Sequence, residues 1–314
     1  MKVEPPRSLG PGETAALLPY PALADTIAAM LLEYEGGKVQ VPERLILELP
    51  DGGKLLVMPA SDENVAITKL VTVHPRNSAK GLATIQGEVV VMRAGSGERM
   101  GVLDGATVTG RRTAALSLLA ARKLAPVPTG PLLIFGAGAQ ATAHLEAFRI
   151  GLGVDTVFIS SRTRHRAETL AGLGRELGMD ARVVDDPNEV LGKAKLIVTA
   201  TTSQTPVLAG SLAEDVMVCA VGAFRPGMAE LSPELIGGSS VVVDTLAAAR
   251  QEAGDLIAAV GAGAWQWERA RELAQVLAPE MEAAQLHHLP GPVVFKSVGH
   301  ALFDLASARL AFLA

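Results

Sequence analysis

Residues 132–141 read Leu-Leu-Ile-Phe-Gly-Ala-Gly-Ala-Gln-Ala, an apolar run followed by two glycines one residue apart and a third small residue, Ala141. That order suits the binding of a pyrophosphate. Leu132–Phe135 supplies a strand, Gly136 a tight turn, and Gly138 a backbone that a phosphate can approach closely. Ala139 to Arg149 then forms a helix whose first N–H groups, with Gln140 in the opening turn, face the anion. The next apolar run, TVFIS at 156–160, reports on which dinucleotide is bound. Sites for NAD end that strand with an acid, about 20 residues beyond the glycines, which grips the ribose hydroxyls. Here Ser161-Arg162-Thr163 follows, with Arg164 and Arg166 close behind. No carboxylate is present to repel a 2′-phosphate, and Arg162 with two hydroxyls suits one. NADPH is therefore the expected cofactor and NADH the alternative. The blander reading of these arginines is a solvated helix start.

Other chemically suggestive residues divide differently. His287 and His288 are adjacent, so they do not share a helix face, and no third ligand stands at a helical spacing; we expect no metal site. His300 has two readings, a helix residue near the cofactor or a substrate contact and proton donor, since His titrates near neutrality. Cys219, the single cysteine, excludes an intrachain disulfide and lies in an apolar strand, where it reads as a buried, inert thiol. Asp304 reads as a cap or pairing residue within the C-terminal helix. Trp265 and Trp267 read as packing residues on a helix.

The elements that must position these residues change character along the chain. Residues 21–36 are expected to form an amphipathic helix, followed by β-rich runs at 45–49, 54–58, 65–73 and 88–92 and a helix from Thr107 to Leu124. After the segment APVPTGP, apolar strands at 132–135, 156–160, 181–184, 195–201, 216–222 and 240–245 alternate with helical segments. Near-continuous apolar strands separated by helices mean a parallel sheet covered on both faces. The fold class is therefore α/β, a Rossmann-type doubly wound sheet. Ser297 to Phe312 reads as one further helix, returning to the N-terminal part to complete a second, α+β domain. Boundaries are placed at 1–125 with 293–314 for that domain, and 126–292 for the Rossmann domain.

Bulk composition narrows the function classes. With 49% hydrophobic and 19% charged residues, the 314-residue chain is globular and long enough for two cores. A net charge of −5 offers no case for nucleic acid or anionic membranes as partners. The start, MKVEPPRSLGPGE, does not read as a signal peptide, and the apolar stretch from Leu124 to Ala143 is broken by Pro126, Pro128 and Pro131. The expectation is a soluble cytoplasmic protein with a small-molecule substrate.

Five separated motifs then point to one family. RRTAALS (111–117), LIFGAGAQA (133–141), TATTSQTPVL (199–208), AVGAFRPGMAEL (220–231) and VFKSVGHALFDL (294–305) resemble, in order and spacing, the ornithine cyclodeaminase/μ-crystallin family. The resemblance covers the chain from about residue 40 onward. It implies a homodimer whose N-terminal domain supplies the dimer contact and half of the substrate site. It also implies a cationic set that holds the substrate carboxylate: Arg44 in VPERL, Lys69 in AITKL, and Arg112. Arginine forks bind carboxylates bidentately and a lysine adds a point charge. Thr84, Gly138, Ala139, Gln140, Thr201, Thr202, Val221 and Ser297 resemble the family's cofactor-contacting positions, with Lys296 beside them.

Two departures decide the expected activity. Deaminating members carry an aspartate where this chain has Phe224, and a glutamate two residues before Met-Pro, where this chain has Leu56. A carboxylate that shuttles protons cannot be replaced by an apolar side chain without losing that step. The resemblance is thus nearest to the ketimine reductases of the family, which reduce cyclic imines such as Δ1-pyrroline-2-carboxylate and Δ1-piperideine-2-carboxylate to proline and pipecolate. Alternatives are an amino-acid dehydrogenase or an ornithine cyclodeaminase of the same family, and a non-catalytic NADPH-dependent small-ligand binding protein.

Overall fold

The computed structural model describes residues 7–278 and 289–313. His287 and His288 lie outside the described residues. The chain divides into two compact units, residues 1–112 with 301–314, and residues 113–300. The sequence boundaries at 125/126 and 292/293 are therefore displaced at both ends. The helix that leads out of the first unit is continuous across residue 112, so its apolar second half counts with the second unit. Residues 293–296 are a strand of the second unit's sheet rather than part of the returning C-terminal helix.

The first unit is built on a six-stranded sheet, from β1 (Arg7–Leu9), β2 (Leu45–Leu49), β3 (Gly53–Ser61), β4 (Val65–Val73), β5 (Ile85–Arg93) and β6 (Arg99–Asp104), in the order β1-β6-β5-β4-β3-β2. β2 to β6 form an antiparallel meander, and β1 closes one edge in parallel. β4 alternates buried and half-buried residues, the pattern of a strand with one face on a core. In antiparallel register Met58 stands opposite Lys69 and Leu56 opposite Val71, so these four share one face. Helices α1 (Pro11–Ala16) and α2 (Tyr20–Glu35) precede the meander, and α3 (Gly105–Leu124) follows it.

The second unit holds an eight-stranded, all-parallel sheet. Its strands are β7 (Leu132–Phe135), β8 (Thr156–Ser160), β9 (Asp180–Val183), β10 (Leu196–Thr199), β11 (Met217–Ala220), β12 (Ser240–Val243), β13 (Arg271–Glu272) and β14 (Val293–Lys296), ordered β13-β12-β14-β11-β10-β7-β8-β9. β7, β10, β11 and β14 are buried along their whole length, which is why they read as unbroken apolar runs. Helices α4 (Ala139–Leu152), α5 (Arg164–Glu176), α6 (Asn188–Leu191), α7 (Pro233–Gly237), α8 (Leu246–Glu252), α9 (Gly254–Gly261) and α10 (Leu273–Leu277) make the connections. Strand order reverses between β7 and β10, and ligands of doubly wound sheets bind outside the C-terminal strand ends at such a switch.

The last helix, α11 (Ala301–Leu313), belongs to the first unit and packs on α2 and on β3 and β4. The single helix expected over 297–312 is thus shorter: Ser297 to His300 are irregular and follow β14. Trp265 and Trp267 are not on a continuous helix either. Trp265 is irregular and Trp267 opens a single 3-10 turn, while the two rings meet edge-on at 5.3 Å and Trp265 sits in the core. Among the described residues no helix is long and apolar enough to cross a membrane.

Candidate active site

In the first unit, β4 and α3 bring the cationic set around a buried acid. Lys69 is 3% exposed, and its Nζ donates to Asp304 Oδ1 at 2.8 Å and to Thr109 Oγ1 at 2.7 Å. Thr109 donates its own hydroxyl proton to Gly105 O, one turn back on α3, which leaves its lone pairs toward the lysine. Arg112, three residues further along α3, is also buried and has Nε 3.6 Å from the same Asp304 oxygen. Arg44, half-buried just before β2, is close enough for its charge to act on Lys69. Burial holds the Lys69 ammonium below the usual lysine range; Asp304 pulls it back up, and Arg112 and Arg44 oppose that. Two buried cations, Lys69 and Arg112, therefore converge on one internal carboxylate, and a third, Arg44, is near enough to act on Lys69, an excess of positive charge. Such an arrangement calls for an anion. Leu56 shares Lys69's face of the sheet, so an apolar side chain rather than a second acid stands there.

Asp304 was expected to act within its own helix. Instead it is fully buried and reaches across to β4 and α3. Thr84 also lies in the first unit, on the loop before β5, where its carbonyl accepts from His74 N.

In the second unit, the glycine turn closes as a nucleotide cradle requires. Gly136 has φ +112°, a conformation that L side chains rarely adopt, and its N–H donates to Ser160 O at 2.8 Å. A Cβ at Gly136 would lie 2.5 Å from Ala200 O, so the strand ends of β7 and β10 approach closely only with glycine here. A Cβ at Gly138, the residue before α4, would meet nothing within 4 Å. The N-terminus of α4 thus opens on free space, and a pyrophosphate fits there. A cleft of about 350 Å³ runs from it, lined by Gly136, Gly138, Ser161, Arg162, Thr163, Thr201 and Thr202. Ala139 lines the adjoining groove between α4 and α5. Gln140 sits in the first turn of α4, Val221 is buried just past β11, and Ser297 lies just past β14. The two arginines in the first turn of α5 separate: Arg166 lines the cleft, whereas Arg164 pairs with Asp185 and Glu168.

Three buried acids hold the loops that carry these positions, and none of them was singled out from the sequence. Glu230 accepts from Thr199 Oγ1 (2.9 Å), Thr201 N (2.6 Å), Gly222 N (2.7 Å) and Ala223 N (3.2 Å), tying the ends of β10 and β11 together. Gly222 has no room for a Cβ, which would stand 2.3 Å from Glu230 Oε1. Asp255 accepts from Glu230 N and Leu231 N and pairs with Lys296 Nζ at 2.6 Å, all four residues being buried. Asp244 accepts from Ser297 Oγ, Val298 N and Gly299 N at 2.8–2.9 Å, which fixes the turn leading to His300. The signal is an acid inside an apolar run (MAEL, VVVDT, GDLI), because unpaired carboxylates are almost never buried.

Phe224, on the loop after β11, lies under the Arg225 guanidinium at 5.1 Å. Cys219 is buried, and burial pushes its thiol up to about 12, so it stays protonated and unreactive. Among the described residues no group of three or more His, Cys, Asp or Glu side chains is arranged to hold a metal ion.

Comparison with known proteins adds the relatives. Residues 13–312 match the family model described as ornithine cyclodeaminase/mu-crystallin. The chain is 41% identical to Δ1-pyrroline-2-carboxylate reductase 1 of Burkholderia multivorans, over 95% of this chain and 93% of the relative. It is 39% identical to the Δ1-pyrroline-2-carboxylate/Δ1-piperideine-2-carboxylate reductase of Azospirillum brasilense, with the same coverage. The fold superimposes with a TM-score of 0.86 on Δ1-pyrroline-2-carboxylate reductase of Thermococcus litoralis in complex with NADH and L-proline, at 26% identity, covering 97% of this chain and 93% of that one.

Proposed function

We propose, from the premise that the chain belongs to the ornithine cyclodeaminase/mu-crystallin family, that it is a reductase of cyclic ketimino acids. It converts Δ1-pyrroline-2-carboxylate to proline and Δ1-piperideine-2-carboxylate to pipecolate, using NADPH in preference to NADH. The observation that carries the reading is the face of β4 around Lys69. It presents cations able to grip a carboxylate, and beside them the apolar Leu56, which cannot handle a departing amine. The named activities of relatives near 40% identity support the same substrates.

The roles divide by the part of the substrate or cofactor each residue serves. Arg112 and Arg44 hold the substrate carboxylate, and Lys69 adds its point charge. Phe224 supplies an apolar wall for the ring. When bound, the nicotinamide supplies the hydride that reduces the C=N carbon. Gly136, Gly138, Ala139 and Gln140 bind the pyrophosphate, and Ser161, Arg162 and Thr163 bind the 2′-phosphate, with Arg166 as a second cation. Thr84, Thr201, Thr202, Val221 and Ser297 orient the rest of the dinucleotide. His300 is the proton donor of the site. A cyclic imine asks little more, because its own nitrogen carries the proton that makes the carbon electrophilic. The protein acts as a cytoplasmic homodimer; its single buried cysteine is in keeping with a reducing compartment.

The test is one pair of assays on the purified protein. NADPH oxidation must depend on either cyclic imine, and ornithine with NAD must release no ammonia. Ornithine-dependent ammonia release without imine reduction overturns the reading.

A further inference from the structure

The deepest cluster of charge in the first unit contains a group that the proposed chemistry leaves unused. Asp304 is fully buried on α11, 235 residues along the chain from Lys69, yet its Oδ1 meets Nζ of Lys69 at 2.8 Å. Arg112 approaches the same oxygen at 3.6 Å, and the other oxygen, Oδ2, is buried with no hydrogen-bond partner among the described residues. A carboxylate in that position is costly unless cations compensate it, and the cations are equally costly without it. It also competes with a substrate carboxylate for the same charges. Its retention in the fold calls for a role that the substrate does not fill.

We propose that Asp304 is a positioning residue, which holds the Lys69 ammonium in one place and keeps it charged when the substrate site is empty. The inference rests on the reading of Lys69 as a substrate-holding cation. The groups that face Lys69 are Asp304 from α11, Thr109 and Arg112 from α3, and Arg44 from the segment before β2. Among them only Asp304 is an acid. Burial and the two arginines drive Lys69 toward the neutral amine, and Asp304 with the Thr109 lone pair opposes them. With Asp304 bonded to Lys69, the fork of Arg112 is left for the incoming carboxylate, and Lys69 is pre-aimed with two of its three protons already engaged.

The sign of the effect follows. The cation of Lys69 is lost as pH rises through its folded-state value, so kcat/KM for the imino acid has an alkaline limb. Removing the acid lowers that value and moves the limb to lower pH. In Asp304→Asn we expect kcat/KM at neutral pH to fall about 10- to 100-fold, the effect of losing one hydrogen bond between charged groups. The alkaline limb should move down by at least about one pH unit, while the KM for NADPH stays within about twofold, because the residues that Asp304 meets, Lys69 and Arg112, are assigned to the substrate and not to the cofactor. In Lys69→Arg, which does not titrate, the part of the limb set by Lys69 should vanish, so that adding Asp304→Asn to it moves the remaining limb no further. A Lys69 titration, followed by side-chain NMR, that stays put in Asp304→Asn overturns the proposal.

Two controls keep the test decisive. NADPH binding, followed by fluorescence, establishes that Asp304→Asn is folded. If it is not, Asp304→Glu takes its place: the limb should stay while kcat falls, because the longer arm displaces Nζ. An unchanged kcat in that variant would also sink the idea. Separately, NMR titration of lysine side chains follows Lys69 directly and needs no turnover. A wild type that reduces neither imine refutes the functional reading. An unshifted Lys69 titration in Asp304→Asn refutes the role of Asp304 alone.

Discussion

At the scale of single residues, charge and burial separate the groups that act from those that only pack. Arg162 is exposed at the mouth of the cleft and Arg164 is held by two acids, so the proposed binding of a 2′-phosphate rests on Arg162 with Arg166 beside it. Arg162→Ala should raise the KM for NADPH by roughly 10- to 100-fold, one charge-assisted hydrogen-bond partner, and barely alter that for NADH. Steady-state kinetics with both cofactors checks it; equal losses would remove Arg162 from the phosphate site. His144 is the opposite case. It is fully buried on α4, with Nδ1 donating to Gln140 O at 2.7 Å and Nε2 accepting from Ser117 Oγ at 2.9 Å. Burial lowers it from 6.5 to about 4, so the folded chain resists the proton that the unfolded chain accepts. Its contribution is complete above pH 6.5 and is lost as pH falls from there toward 4, by at most about 3 kcal/mol. Denaturant midpoints at several pH values should therefore fall on the acid side in the wild type and fall less steeply in His144→Asn. Parallel pH curves for the two proteins would show that His144 is not the group responsible.

At the scale of elements, the cofactor positions depend on loops whose shape is set from beneath. Glu230 receives four donors from the ends of β10 and β11, and Asp255 in turn holds the backbone of Glu230. Glu230→Gln keeps the volume but turns an amide NH2 toward N–H donors that need an acceptor. Loosening of Thr201 and Val221 should raise the KM for NADPH about tenfold or more, besides costing stability of about 1–3 kcal/mol. A drop in melting temperature with cofactor KM unchanged would make Glu230 a packing residue only. The same contrast explains what the sequence discloses. The cradle is legible because its signal is local: the φ of Gly136, the open space at Gly138 and the strand before them lie within a few residues. The strands of the parallel sheet are legible because burial on both faces leaves unbroken apolar runs. Glu230 and Asp304 are not, because their partners are remote in sequence and a lone acid in an apolar run does not say what it meets. The C-terminal region was misjudged for a related reason. In VVFKSVGH the only breaker is Gly299, at φ +89°, three residues past the strand end, and the pairing of β14 between β11 and β12 shows that the strand ends at Lys296. Family motifs located Arg44, Lys69 and Arg112 without revealing the acid that binds two of them.

At the scale of the whole molecule, the first unit presents an edge that water does not suit. β2 is the terminal strand of its sheet, paired on one side only with β3. It exposes Leu45, Ile46 and Leu47 at 55%, 46% and 46%, and Leu70 on β4 is 39% exposed. Successive residues of a strand point to opposite faces, so β2 is apolar on both faces as well as open along its edge. Edge strands that remain solvated are blunted by charges or proline; this one carries a single acid, Glu48, among four apolar residues. Such a surface is the expected contact of a second copy. Arg44 immediately precedes β2, so the contact would also steady one member of the proposed carboxylate-binding set. Leu45→Glu/Leu47→Glu should therefore shift the sedimentation coefficient from dimer to monomer. The same variant should raise the KM for the cyclic imine several-fold through Arg44, a positioning loss of about 1 kcal/mol, and leave NADPH binding to the second unit unchanged. Sedimentation velocity and steady-state kinetics on one preparation read both effects. A wild type that sediments as a monomer, or a variant that stays dimeric, would place the contact elsewhere and leave Arg44 to be held within its own chain.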